Sequence, residues 1–170
     1  LYERDSMLAG KSSRLFDELI ATAVPTSGAI ELVHTMRANG VKCCLVSGGF
    51  DFITGPVAAL CGFHDHHANH MQVRDGKILG TVQTPVLDRN AKAAYLAHYC
   101  KQNDIDPIDA ATIGDGANDL AMLQAAGMGV AFEGKPLLLA EVAIQLNHTD
   151  LRGLLYLQGY KQPDFIGDKI

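Results

Sequence analysis

The sequence predicts an α/β fold with a doubly wound parallel sheet. Short apolar runs such as VKCCLV (41–46) and MGVAF (128–132) have the length and composition of strands buried on both faces. Helical segments separate these runs, and parallel strands need helical, right-handed crossovers of this kind. Glycine turns follow two of the apolar runs, at SGG (47–49) and GDG (114–116). Because ligands bind beyond the carboxyl ends of the strands in such sheets, we expect both turns in one region.

Each element follows from periodicity, caps and chain breakers. Ser12 or Ser13 is a plausible N-cap for the helix in 11–24, and Asn39-Gly40 ends the helix in 27–40. Two alternating runs flank Asp75-Gly76, which is a strong β-hairpin signal. The predicted elements, in chain order, are a helix end at 1–10, helices at 11–24 and 27–40, a strand at 41–46, the turn SGGF (47–50), an apolar helix through Cys61, a hairpin in 70–82, a helix from about Asn90 to Gln102, a strand leading into a glycine turn in 109–119, a helix at 120–127, a strand at 128–132, a short helix at 135–142, a strand at 143–146 and a closing helix at 150–158.

Composition restricts the class of protein. A chain of 170 residues fits one domain with a substantial core, and 48% hydrophobic with 19% charged residues is typical of a soluble globular protein. The net charge of −5 argues against nucleic acid or an anionic membrane as the main partner. No apolar run approaches the roughly 20 residues of a membrane span. Four cysteines without a CxxC pair suggest reduced thiols in the cytoplasm. The chain begins at Leu1 rather than methionine, so we expect a fragment or a processed product.

The acidic turn GDGAND (114–119) is the first candidate site. Asp115 and Asp119 lie four residues apart, and Gly114 and Gly116 allow the backbone to turn tightly around Asp115. Magnesium binds through one or two carboxylates and keeps several waters, so this turn could hold it. The alternative is that both carboxylates only favour the N-terminus of the next helix.

Two further features suit a phosphate ligand. In VSGGF (46–50), Ser47 offers a hydroxyl, and the Gly48 and Gly49 amides could point together at an anion. Lys92, near the start of its helix, could hold a phosphate as a point charge. The alternatives are a plain glycine turn and an ordinary surface lysine. The order of hydroxyl turn, lysine and acidic turn along one α/β chain favours the phosphate interpretation.

These motifs together resemble the haloacid dehalogenase superfamily of phosphotransferases, and most closely its phosphoserine phosphatase branch. The matching stretches, in order, are SGGF (47–50), Ala68-Asn69 with DGK (75–77) and Gly80, Lys92, and GDGANDL with its following AG (114–127). The resemblance covers about Leu1 to Gly153 and implies a Rossmann-like core with a small β-hairpin and the remnant of a helical cap. The division implied by the resemblance places the cap remnant at 1–26, the phosphatase core at 27–158 and a tail at 159–170, to which no function is assigned.

The resemblance also implies a role for each candidate residue. Asp115 resembles the ligand of a Mg²⁺ cofactor, and Asn118 and Asp119 complete the metal and substrate environment. Lys92 resembles the lysine that neutralises the nucleophile and the transferring phosphoryl group. Ser47 and the Gly48 amide resemble the phosphate-binding pair, and Arg4 resembles the cap arginine that grips the substrate carboxylate. The implied reaction is hydrolysis of O-phospho-L-serine, the last step of serine biosynthesis. Read by itself, Arg4 is an ordinary surface arginine.

One family motif is missing. Members carry an apolar strand ending in DxDx[ST], which supplies the attacking carboxylate and the general acid, and no DxDx[ST] occurs in this sequence. In the family fold that strand is central, between the strands that carry Ser47 and Asp115. We therefore expect the isolated chain to release no phosphate. The alternatives are a related small-molecule phosphatase or phosphotransferase, and a non-catalytic remnant that binds a ligand or a partner. The histidine-rich HDHHANH (64–70) could suggest zinc, but we expect a solvated loop there.

Overall fold

The structure is a computed structural model that describes residues 7–88 and 90–167. The chain divides into two compact units, one formed by residues up to Pro25 with Met36–Leu87 and the other by Thr26–Thr35 with the chain from Asp88 onward. In chain order, the helices and strands are α1 (Arg14–Thr22), α2 (Ala29–Ala38), β1 (Cys44–Phe50), α3 (Asp51–Cys61), β2 (Asp65–Asn69), β3 (Met71–Arg74), β4 (Lys77–Val82), α4 (Ala91–Gln102), β5 (Ala111–Gly114), α5 (Leu120–Ala125), β6 (Met128–Phe132), α6 (Pro136–Glu141), β7 (Ile144–Leu146) and α7 (Gly153–Leu157).

The first unit contains a parallel strand pair and the predicted hairpin. β1 pairs with β2 in parallel, and β3 pairs with β4 antiparallel. Arg74 faces Lys77 across the hairpin turn, where Asp75 and Gly76 have φ angles of 49° and 71°. Two consecutive positive φ angles are the mark of a type I′ turn, which matches the twist of the flanking strands. The hairpin prediction from Asp75-Gly76 is therefore confirmed.

Two predictions in this unit are wrong. SGGF (47–50) was expected to be a turn, but β1 continues through it to Phe50. The segment HDHHANH (64–70) was expected to be a solvated loop, but Asp65–Asn69 forms β2. The pairing of β1 with β2 accounts for both differences. β2 pairs with residues 44–46, and a further pair between Phe50 and Asn69 keeps the bulged residues 47–49 within β1. Polar side chains give little signal for such pairing.

The second unit contains the parallel sheet β5–β6–β7 with helices packed against it. The predicted strand at 128–132 is β6, which lies between the other two. Helices and strands of this unit share a buried apolar cluster, formed by Leu123, Ala131, Leu138 and Val142 with Leu120, Met122 and Leu139 against it. The parallel strands of both units agree with the predicted α/β class.

Two glycines set the close packing at the start of β6. A Cβ on Gly127 would lie 1.7 Å from the carbonyl oxygen of Ile108, and one on Gly129 would lie 2.0 Å from that of Leu123. These contacts are with backbone atoms, so the chain passes closer here than any side chain allows. The Gly127 N–H also donates to the Pro107 carbonyl over 2.9 Å. Both glycines are therefore required by the packing of β6 itself.

The C-terminal segment packs onto the second unit. The Ile166 N–H donates to the Oγ1 of the buried Thr35 over 2.8 Å, and the Phe165 ring contacts that of Tyr156 with 5.0 Å between centroids. Within the described ranges, the helices are too short or too polar to cross a membrane.

Candidate active site

Asp119 is the centre of the acidic turn between β5 and α5. Its side chain is 1% exposed and its two oxygens have different partners. Oδ1 accepts a hydrogen bond from the Lys92 ammonium, which is 16% exposed. Oδ2 accepts the backbone N–H groups of Asp115 over 3.1 Å and Gly116 over 3.0 Å. One buried carboxylate thus holds both the lysine and the backbone of the turn.

The glycines of the turn make this arrangement possible. A Cβ on Gly114 would lie 2.4 Å from the Asp119 Cγ, so any side chain there would displace the carboxylate. A Cβ on Gly116 would lie 2.6 Å from the Asn118 Oδ1. The Asp119 carbonyl then accepts the Leu123 N–H over 2.9 Å and begins α5. The sequence predicted tight turning around Asp115. The structure shows that the space left by the missing Gly114 side chain is occupied by the Asp119 carboxylate.

The first turn of α4 positions Lys92. The Asp88 carboxylate accepts the N–H groups of Asn90 over 2.8 Å and Ala91 over 3.1 Å, which satisfies two of the donors that a helix N-terminus leaves open. This cap fixes the turn from which the Lys92 side chain reaches Asp119. Sequence reasoning missed Asp88, although an aspartate shortly before a helix, here three residues before Ala91, is a recognisable capping signal.

Asp115 presents its carboxylate differently from Asp119. Its side chain is exposed at the end of β5, while its backbone is held from both sides: its N–H donates to Asp119, and its carbonyl accepts the Lys135 N–H over 3.0 Å. Asn118 is exposed on the same turn. An exposed carboxylate on a held backbone, with a neighbouring amide oxygen, fits Mg²⁺, which needs only one or two protein carboxylates and fills its shell with water.

Clusters of three or more His, Cys, Asp or Glu that could hold a metal are absent from the described part of the chain. A magnesium site with one carboxylate would not form such a cluster. The histidines of 64–70 have separate partners: His64 accepts the Cys43 N–H, and His66 bonds Thr54.

Ser47 and Gly48 lie in the first unit, where β1 bulges away from β2. The Ser47 Oγ accepts the Gly49 N–H over 3.0 Å, so this amide is used within the bulge and does not point at an anion beside that of Gly48. The Gly48 carbonyl accepts the Nδ2 of Asn69 over 2.9 Å. Asn69 lies in one of the stretches that resemble the family, but no role was assigned to it from the sequence.

The structure thus joins Lys92, Asp119 and the backbone of Asp115 in the second unit. Ser47 and Gly48 lie together in the first unit, and their expected placement beside the acidic turn stays a prediction. Arg4 lies outside the described residues, so its role also stays a prediction.

Comparison with known proteins identifies the family. Residues 3–124 match the model of haloacid dehalogenase-like hydrolases. The chain is 35% identical over 155 residues to the phosphoserine phosphatase of Methanocaldococcus jannaschii, covering 91% of this chain and 74% of that protein. It is also 35% identical to the phosphoserine phosphatase of Haemophilus influenzae, again over 91% of this chain but only 49% of that protein. The chain therefore spans about half the length of that curated relative.

Solved structures agree with the sequence relatives. A phospho-aspartyl intermediate analogue of a phosphoserine phosphatase matches with a TM-score of 0.86 and 34% identity, covering 92% of this chain and 75% of that one. A substrate-bound phosphoserine phosphatase complex matches with a TM-score of 0.87 and 34% identity, over 92% and 74% of the two chains. The predicted fold is thereby confirmed, and the chain belongs to the haloacid dehalogenase-like hydrolase family, in its phosphoserine phosphatase branch.

Proposed function

We propose that this chain supplies the phosphate-binding and magnesium-binding part of an enzyme that hydrolyses O-phospho-L-serine to L-serine and phosphate. The observation that supports this most directly is the buried carboxylate of Asp119, which holds the Lys92 ammonium and the backbone of Asp115 while the Asp115 carboxylate stays exposed. Relatives named phosphoserine phosphatases at 35% identity support the substrate.

Lys92 is suited to stabilise negative charge on a phosphoryl group. An ammonium has three N–H donors, and among the described residues Asp119 takes one of them, so two are available for an anion. Because Asp119 and the capped first turn of α4 fix the ammonium beforehand, little reorganisation is needed when charge develops. Asp119 acts through Lys92 and the Asp115 backbone, so we assign it a positioning role.

The remaining candidate residues would each bind a different part of the substrate or the metal. Asp115 would hold Mg²⁺ with help from Asn118, and the bound ion would supply Lewis-acid stabilisation of phosphoryl oxygens. Ser47 and the Gly48 amide would donate to the phosphate, and Arg4 would pair with the serine carboxylate, for which a guanidinium fork is suited. We retain the proposed division into a cap remnant at 1–26, a core at 27–158 and a tail at 159–170. Four free cysteines suit a reducing, cytoplasmic setting.

The proposal requires a carboxylate that this chain does not offer. No DxDx[ST] is present in the sequence, so the attacking carboxylate and the general acid would come from a segment bearing that motif. The experiment measures phosphate release from O-phosphoserine with Mg²⁺, using the chain alone and the chain with a DxDx[ST]-bearing strand segment fused ahead of Leu1.

We expect no release from the chain alone and magnesium-dependent release from the fusion, lost in Asp115→Asn. Lys92→Ala in the fusion should lower turnover by roughly two to three orders of magnitude, because the transferring charge loses its preorganised partner. Lys92→Arg should restore little, since a planar fork does not replace a compact ammonium. Strong activity of the chain alone, abolished by Asp115→Asn, would overturn the assignment of roles.

A further inference from the structure

Residues 47–49 of β1, which carry the proposed phosphate ligand Ser47, form a bulge with too few strand partners. Val46 of β1 faces His67 of β2, and the next paired residue, Phe50, faces Asn69. The residues at 47–49 therefore lie opposite Ala68 alone. A bulge of this size leaves backbone groups of β1 without ladder hydrogen bonds, and these groups need other partners.

Asn69 supplies one of these partners with its side chain. It is 1% exposed, its Nδ2 donates to the Gly48 carbonyl over 2.9 Å, and its Oδ1 accepts the Leu87 N–H over 2.8 Å. Both ends of the amide are thus used by backbone groups from different segments. Only a side chain with a donor and an acceptor at this reach can do both, so an aspartate would keep the Leu87 contact and lose the one to Gly48.

The bond to Gly48 fixes a peptide plane. In a trans peptide, the carbonyl of one residue and the N–H of the next point in opposite directions. Holding the Gly48 carbonyl toward Asn69 therefore directs the Gly49 N–H to the other side, where the Ser47 Oγ accepts it over 3.0 Å. A Cβ on Gly49 would lie 3.2 Å from that oxygen, so a glycine suits this close approach.

The hydrogen bond from the Gly49 N–H determines how the Ser47 hydroxyl can bind other groups. A hydroxyl has one proton and two lone pairs, and the Gly49 N–H occupies one lone pair. The Gly49 nitrogen cannot accept, so the proton of Ser47 is left for another acceptor. Phosphate oxygens are acceptors, which makes this the orientation that phosphate needs.

We propose that Asn69 is a positioning residue for phosphate, which holds the Gly48 peptide so that the Ser47 hydroxyl donates outward. This rests on the proposed function of Ser47 as a phosphate ligand. Asn69 itself does not touch phosphate, and its effect passes through the Gly48–Gly49 peptide.

The test combines two measurements on the full chain. The first follows the Gly49 amide by ¹H–¹⁵N NMR without ligand, and the second titrates inorganic phosphate in the presence of Mg²⁺. The variants are Asn69→Asp, Ser47→Ala and the double variant. Gln145→Glu is the matched control, because the Gln145 Nε2 likewise donates to backbone carbonyls, those of Leu139 over 2.7 Å and Val142 over 3.0 Å, in the second unit.

We expect Asn69→Asp to shift the Gly49 amide proton upfield and steepen its temperature coefficient, as Ser47→Ala does directly, while Gln145→Glu leaves it unchanged. Asn69→Asp and Ser47→Ala should each weaken phosphate binding about tenfold, the effect of one hydrogen bond to a charged group. The double variant should also be weakened about tenfold, not about a hundredfold, because both changes remove the same bond.

An unchanged Gly49 amide in Asn69→Asp, or losses of affinity that multiply, would overturn the positioning role. Should Asn69→Asp not fold, Asn69→Ala replaces it, and protection of the Asn69 side-chain amide from exchange in the wild type is measured beside it. Rapid exchange of that amide would also refute the proposal. If the wild-type chain binds no phosphate, the proposed phosphate site fails, and the Gly49 amide still decides whether Asn69 orients Ser47.

Discussion

The pair of Lys92 and Asp119 makes a quantitative prediction about stability. Asp119→Asn keeps the shape of the side chain but places an NH₂ or a neutral oxygen beside an ammonium that is only 16% exposed. Removing one partner of a buried ion pair costs about 3–5 kcal/mol, and partial hydration of Lys92 places the expected loss at about 2–4 kcal/mol. Lys92→Met should cost about 2–3 kcal/mol, since Asp119 keeps two backbone donors but loses its ammonium.

The double variant, Asp119→Asn with Lys92→Met, measures the interaction energy between the two charges. With both charges removed, neither is left buried without a partner, so the double variant should lose less than the sum of the single losses, by at least about 1 kcal/mol. The measurement is the free energy of unfolding in urea at pH 7, followed by circular dichroism. Lys101→Met, an exposed lysine of the same helix, is the control and should cost less than about 0.5 kcal/mol. Single losses that add up within about 0.5 kcal/mol would refute the buried pair.

Three further predictions concern other parts of the chain. Hydrogen bonds from the Arg152 side chain, with help from its backbone N–H and from Ser27, hold the pKa of Asp150 below its ordinary value against the opposing effect of burial. A carboxylate whose pKa is lower in the folded state stabilises the fold at pH values above its unfolded-state pKa. This stabilisation is lost as the pH falls through the folded-state pKa. Asp150→Asn should therefore cost about 1–2 kcal/mol at pH 7 and less below about pH 4. Thr35→Val should cost about 1–2 kcal/mol in urea unfolding, because the Ile166 N–H loses its acceptor. Arg4→Ala in the fused enzyme should weaken turnover of phosphoserine strongly and of phosphoethanolamine, which lacks the carboxylate, only slightly.

Each of these has a clear contrary result. A cost of Asp150→Asn that stays constant from pH 7 to pH 3 would mean that its carboxylate charge contributes nothing. A neutral Thr35→Val variant would show that the C-terminal segment is not held by this bond. Equal losses on both substrates would make Arg4 a structural residue.

Local signals predicted the elements whose conformation is decided locally. Asp75-Gly76 predicts the hairpin because only residues that tolerate positive φ form that turn, and the run at 128–132 predicts β6 because it is apolar throughout. β2 was not predicted because it begins with aspartate and ends with asparagine, which have low strand propensity, and because its pairing with β1 decides its conformation.

Within the candidate site, residue types were easier to predict than their contacts. Motif order indicated Lys92, Asp115 and Asp119, but did not show that Asp119 turns inward to bind the lysine and two amides. The partner of Asn69 depends on how far the β1 bulge displaces Gly48, and that displacement is a property of the paired strands. Such contacts arise from tertiary structure, to which a single sequence gives no direct access.

The glycines at the start of β6 limit how this protein can be varied. At Gly127 and Gly129 a methyl group would meet a backbone carbonyl oxygen, so no change of rotamer nearby can make room. Even alanine requires the strand or its neighbour to move, and larger residues require more. A randomised library that includes these two codons would consist mainly of misfolded clones at those positions. Diversity intended to alter substrate choice is better placed elsewhere, with both glycines left untouched.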